Sequence, residues 1–74
     1  MNAEAIARLL ALRPFEPIEV ELSSGQVILI KHPENVMVLK NTLVVADPEA
    51  DSVQWTSMIH ITSIRRRQVM LPSA

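Results

Sequence analysis

Residues 18–23 alternate, with Ile18, Val20 and Leu22 apolar and Glu19, Glu21 and Ser23 polar. Successive side chains of a strand point to opposite faces, so this period of two predicts a strand with one dry and one wet side. The pattern then changes. Val27, Ile28, Leu29 and Ile30 form an unbroken apolar run, and Val36, Met37, Val38 and Leu39 form another. A strand that is apolar on both sides is expected to be covered on both, by core on one and by a helix or partner subunit on the other. Residues 43–46 predict a further strand. Residues 53–61 predict the next, with Val53, Trp55, Ile59 and Ile61 on one face, and Thr62–Ser63 a tight link after it. Residues 64–71 predict the last strand, in which arginines interrupt Ile64, Val69 and Leu71.

Before the strands, Ala3, Ile6, Leu10 and Arg13 follow helical spacing, with Leu9 widening the apolar stripe. Asn2 is placed to cap this helix, and Pro14 disfavours helical geometry at Arg13, so the helix spans about residues 3–13. Pro14 and Pro17 frame a stiff linker in which Phe15 pins the chain to the core. Gly25, the single glycine of the chain, follows Ser23–Ser24. A three-residue hairpin loop needs a positive φ at its last residue, which glycine accepts without steric cost. His32–Pro33–Glu34–Asn35 predicts a bend, Lys40–Asn41 a second turn, residues 47–52 a polar loop and residues 72–74 a frayed tail. The expectation is one mainly-β domain over residues 1–74. An N-terminal helix and about five antiparallel strands form a small, strongly bent barrel, with the helix across its open end.

Composition adds a reason for association. A chain of 74 residues makes one marginal core, and with no Cys and only two His it has neither disulfides nor a zinc-ligand spacing to reinforce it. Assembly into a homo-oligomer is the remaining route. No apolar run approaches the roughly 18 residues of a membrane span. The N-terminus lacks a basic segment before its apolar stretch, which Glu4, Arg8 and Arg13 interrupt, so it reads as mature protein. With no Cys, a cytoplasmic location is the simplest expectation.

Two resemblances sharpen the fold. RPFEPIEVELSSG followed by VILIKHPENVMV, with Ile59, Ile61 and Ile64 near the end, resembles a group of short, uncharacterised bacterial proteins with an RPF-x-P opening, a Gly hairpin and an HPE turn. That likeness covers most of the chain and implies no activity. A helix followed by five strands, with VELSSG at the first hairpin and IHITSIRR near the end, resembles the Sm/Hfq-like barrel. The second likeness implies rings that bind single-stranded RNA, in which the last two strands pair between subunits. The chain departs from the Sm pattern in three places. Val27–Ile30 lacks the second glycine, His32–Pro33–Glu34–Asn35 stands in place of Asp-x-x-Met-Asn, and no Gly follows the arginines. The resemblance therefore speaks for the fold more than for an RNA site.

Charge is uneven although the net charge is only −1. Residues 18–51 hold two Lys against six Asp and Glu, whereas residues from 52 onward hold three Arg and no acid. Arg65, Arg66 and Arg67, helped by Lys31 and His32, are the candidate nucleic-acid contacts, because guanidinium forks match phosphate oxygens and release counterions. On a strand Arg65 and Arg67 share one face and Arg66 takes the other. Binding of single strands also needs exposed aromatics, and Phe15 and Trp55, the only two, are assigned to the core. The plainer reading makes the arginines a charged edge strand that resists aggregation or pairs with Glu19 and Glu21.

His32 and His60 read as surface or hydrogen-bonded residues, and Asp47, Glu49 and Asp51 as a solvated acidic loop without the spacing of an EF-hand. None of Ser23, Ser24, Ser52, Ser57 and Ser63 sits in a nucleophile motif, and one glycine cannot build a phosphate cradle. The expectation is a non-enzymatic binding or assembly module with no cofactor and no metal. It acts mainly through protein partners, with weak single-stranded RNA binding as the alternative.

Overall fold

A computed structural model describes residues 2–67. Helix α1 (Ala3–Ala11) is followed by β1 (Ile18–Leu22), β2 (Val27–Ile30), a 3-10 turn at Pro33–Asn35, β3 (Val36–Val38) and β4 (Thr42–Asp47). Then come β5 (Ser52–Ser57), a second 3-10 turn at Met58–His60 and β6 (Ile61–Arg66). The helix starts as its sequence dictates, with the Glu4 N–H donating to Asn2 Oδ1 at 2.6 Å. It stops short of Arg13, whose guanidinium instead donates to the carbonyls of Leu10 and Leu12, both at 2.9 Å. Its buried side chain is Ile6, and Ala3, Leu9 and Leu10 pack on the core around it. Phe15 joins them, half-buried, as the linker reading expects.

The strands form two antiparallel three-stranded sheets, ordered β2-β1-β6 and β3-β4-β5. Among the described residues the expected closed barrel is not present. The His32–Asn35 bend is the physical reason. The 3-10 turn at Pro33–Asn35 takes the chain out of strand geometry, so one bent segment contributes an edge strand to each sheet and the described residues form six strands. Between the sheets lies an aliphatic core of Ile6, Ile18, Val20, Ile28, Ile30, Leu43, Val45, Met58 and Ile61, each at most 6 % exposed. Burying an aliphatic side chain of this size contributes about 1.5–3 kcal/mol, so these residues supply much of the drive to fold.

The β1–β2 hairpin is built as its residues predict. Leu22 N–H donates to the Gln26 carbonyl and Gly25 N–H to the Leu22 carbonyl, both at 2.9 Å. Three residues form the loop, and Gly25 takes φ +91 at its last position.

Three expectations near the C-terminus need correction. Residues 53–61 are not one strand, because the 3-10 turn at Met58–His60 rotates the chain and reverses which side chains point inward. Met58 and Ile61 are buried, Ile59 is 82 % exposed, and Val53 and Trp55 are exposed at 62 % and 72 %. Thr62 and Ser63 are not a link but lie inside β6. That strand ends at Arg66, and the part of the expected last strand beyond Arg67 lies outside the described residues. Among the described residues no helix is long and apolar enough to cross a membrane.

Candidate functional site

Three surfaces carry the side chains of interest, and each is set by strand register. On the first sheet, Glu19 of β1 lies opposite Leu29 of β2 and Arg65 of β6. Because Ile18 and Val20 point into the core, Glu19 points outward, and so does everything paired directly beside it. Arg65 Nε reaches Glu19 Oε2 at 3.5 Å, and Arg67 Nε reaches Glu19 Oε1 at 3.8 Å. One carboxylate thus faces two guanidinium groups. Arg66 pairs with Glu16 instead, at 3.7 Å.

Among the described residues the other acid of β1, Glu21, makes no ion pair of this kind. Its carboxylate accepts from Ser63 Oγ at 3.1 Å, and its carbonyl accepts from Thr62 Oγ1 at 3.1 Å. The arginines are therefore held along the sheet by acids of their own chain. Both Arg65 and Arg67 keep more than half of their side-chain surface in solvent, so the pairs are exposed ones and individually weak.

Lys31 and His32 lie elsewhere. They line an open groove of about 490 Å3 between the end of β2 and the β4–β5 hairpin, with Asn35, Asp47, Glu49 and Gln54 around it. Ile18 pairs with Ile30 on one side and Arg66 on the other, so Lys31 leaves the same end of the sheet as the arginines. The two sets nevertheless line different features, since no arginine borders the groove. Its basic residues meet acidic ones, which cancels much of the field either sign would present to a charged ligand. Among the described residues no three His, Asp or Glu side chains come together so as to hold a metal ion.

His60 occupies the 3-10 turn before β6, exposed, where its carbonyl accepts the Ser23 N–H at 2.8 Å. Met58 N–H donates to the Asn41 carbonyl at 2.9 Å, which holds this turn against the β3–β4 turn.

The third surface consists of residues expected inside. Val44 of β4 pairs with Met37 of β3 and with Trp55 of β5. Leu43 and Val45 point into the core, so Met37, Val44 and Trp55 form a row across the outward face of the second sheet. Val53, opposite Ala46, lies beside Trp55 on that face, and Leu39 bonds to Thr42 at its margin. The polar side of β5 is turned inward, where Thr56 is buried and its hydroxyl donates to the Ser57 carbonyl at 3.3 Å.

The β4–β5 hairpin sets this pairing. Closing residues 48–51 between Asp47 and Ser52 forces Trp55 opposite Val44 rather than Leu43. Alternation alone could not decide which of two apolar β4 faces was the inner one. Compared with known proteins, the chain matches no family model, no curated protein and no solved structure.

Proposed function

We propose that the chain is a non-enzymatic, cytoplasmic assembly module. In this reading it is an Sm-like subunit that forms homo-oligomers and acts mainly through protein–protein contacts. The observation that carries the reading is the strand order. The bent segment from β2 to β3 gives each sheet one edge strand, which leaves β6 and β5 as the terminal strands of the series. Terminal strands present unpaired N–H and C=O groups, and pairing β5 of one copy with β6 of the next would satisfy them in a closed ring. Those are also the two strands through which Sm-like rings close. The small aliphatic core adds a thermodynamic reason, since a chain of 74 residues without Cys gains stability by association.

Light scattering during gel filtration at micromolar concentration tests the reading. The expected result is a discrete mass several times that of one chain. A stable monomer across the accessible concentration range would reject it.

One observation favours the alternative of single-stranded RNA binding: Trp55 is exposed and offers a face on which a base could stack. Against it, no strand residue beside Trp55 is charged, and the arginines are on the other sheet, engaged by Glu19 and Glu16. If RNA were the ligand, affinity would fall steeply with salt. Replacing Arg65 and Arg67 by Ala would then flatten that slope by about one unit per lost contact. Negligible binding at low salt, with the oligomer mass altered in the double variant, would assign the arginines to assembly instead.

A further inference from the structure

We infer that the outward face of β3-β4-β5 is a docking surface for the same face of a second copy, packed sheet on sheet about a two-fold axis. This goes beyond ring closure through strand edges and does not require it. Four of the seven large hydrophobic side chains exposed in the described structure are on or beside this face: Met37, Leu39, Val53 and Trp55. They adjoin Thr42, Val44 and Ala46 of β4, so the patch is continuous across all three strands.

The area is what identifies the occupant. With Trp55 at 72 %, Val53 at 62 %, Met37 at 59 % and Leu39 at 47 % exposure, each copy offers on the order of 500 Å2, so a pair would bury on the order of 1,000 Å2, the size at which a biological interface begins and one that fits a dimer dissociating on dilution. A two-fold pair needs only this one patch, because the surface meets itself. Electrostatics permits the match. Among the outward-facing strand residues Met37, Thr42, Val44, Ala46, Val53 and Trp55 there is no charge, so two copies meet without repulsion. For the same reason the face holds nothing that would select an acidic or basic partner.

Trp55 is its own reporter, being the only Trp in a chain without Tyr. Trp emission and quenching by acrylamide are followed as wild-type protein is diluted, alongside the mass in solution. Emission is expected to be blue-shifted and protected at high concentration, and to move to the red with loss of protection as the mass halves. Met37→Glu buries an unpaired charge at the interface and Trp55→Ser removes its largest contact. Each should halve the mass at a fixed concentration while circular dichroism and the unfolding midpoint of the dissociated chain stay unchanged. Should either variant fail to fold, Val53→Glu replaces it, and the wild-type dilution is decisive by itself.

The outcomes separate the two readings. A wild-type dimer that the variants make monomeric upholds the face and rejects the ring. A larger assembly that the variants halve upholds both. An assembly of unchanged mass in the variants, with Trp55 accessible throughout, overturns the face and leaves the ring standing. A monomer with accessible Trp55 at every concentration overturns both. Quenching of Trp55 by a mixed-sequence single-stranded RNA, with no change of mass on dilution, would give the face to nucleic acid and also overturn the inference.

Discussion

On the outward side of the first sheet Glu19 stands between Leu29 and Arg65, and on the outward side of the second Val44 stands between Met37 and Trp55. Each is the middle residue of a three-strand row, and each row backs onto the same aliphatic core. The inward sides hardly differ: Ile18 and Val20 in one sheet and Leu43 and Val45 in the other are all nearly inaccessible. The outward sides differ in what they have left to do. Glu19, Arg65 and Arg67 satisfy one another along the sheet surface, whereas Met37 and Trp55 on either side of Val44 are left exposed. Burial within one chain therefore explains the fold, and the unequal outer faces point to where a partner would sit.

The comparison breaks most readily at the core, where the two sheets should behave alike. Truncating Ile18 to Ala in the first sheet or Leu43 to Ala in the second should each cost roughly 2–5 kcal/mol, since both are fully buried. For a domain whose total stability is about 5–15 kcal/mol, that is a large fraction. Urea unfolding midpoints measure both. If one truncation were tolerated and the other were not, a single sheet would be carrying the fold and the symmetry of the inner faces would be illusory.

The hairpin tips offer a finer test. The first sheet turns on Gly25 at φ +91, with open space where a Cβ would go, so any cost of a side chain there is backbone strain. The second turns with Asp51 at φ +51, a conformation that Asp tolerates better than most residues. Gly25→Val should destabilise by roughly 1 kcal/mol or more. Asp51→Gly should change stability by less than about 0.5 kcal/mol, because relieved strain is offset by the greater freedom of the unfolded chain. Equal effects on the denaturation midpoint would show that the two tips are not built on this difference.

These tests also mark what could be read from the residues alone. The β1 alternation, the Gly25 turn, the Asn2 cap and the bend at His32 were legible because each depends on neighbours a few residues away. The pairing of the arginines with an acid of β1 was legible as one of two readings, though Glu21 turned out to bond to Ser63 rather than to a guanidinium. Trp55 was not legible. Its place depends on which side of β4 faces the first sheet, and residues 43–46 are apolar on both sides. Hydrophobicity by itself does not say which face of a sheet a residue takes, so a residue assigned to the core can lie on the surface, as Trp55 does. Ile59 failed for a local reason, because the 3-10 turn at Met58–His60 shifts the phase that alternation assumes.

The smallest expected effect belongs to the charged row, and it sharpens the contrast with the apolar one. Glu19→Gln removes the charge that Arg65 and Arg67 share, while keeping the shape and most of the packing of the side chain. The carboxylate is partly shielded but the guanidinium groups are mostly in water. The loss should therefore stay below about 1 kcal/mol at low ionic strength. Near 1 M salt the screening length shrinks to about 3 Å, comparable to the pair separations, and most of the difference between variant and wild type should vanish. Urea titrations at low and high salt give both values. A loss as large as that of Leu43→Ala, or one indifferent to salt, would mean that Glu19 is structural in the way a core residue is. The fold would then depend on the charged face as much as on the inner ones. The expected small, screened loss would instead leave the arginines thermodynamically free to exchange Glu19 for an external anion, at little cost to the domain.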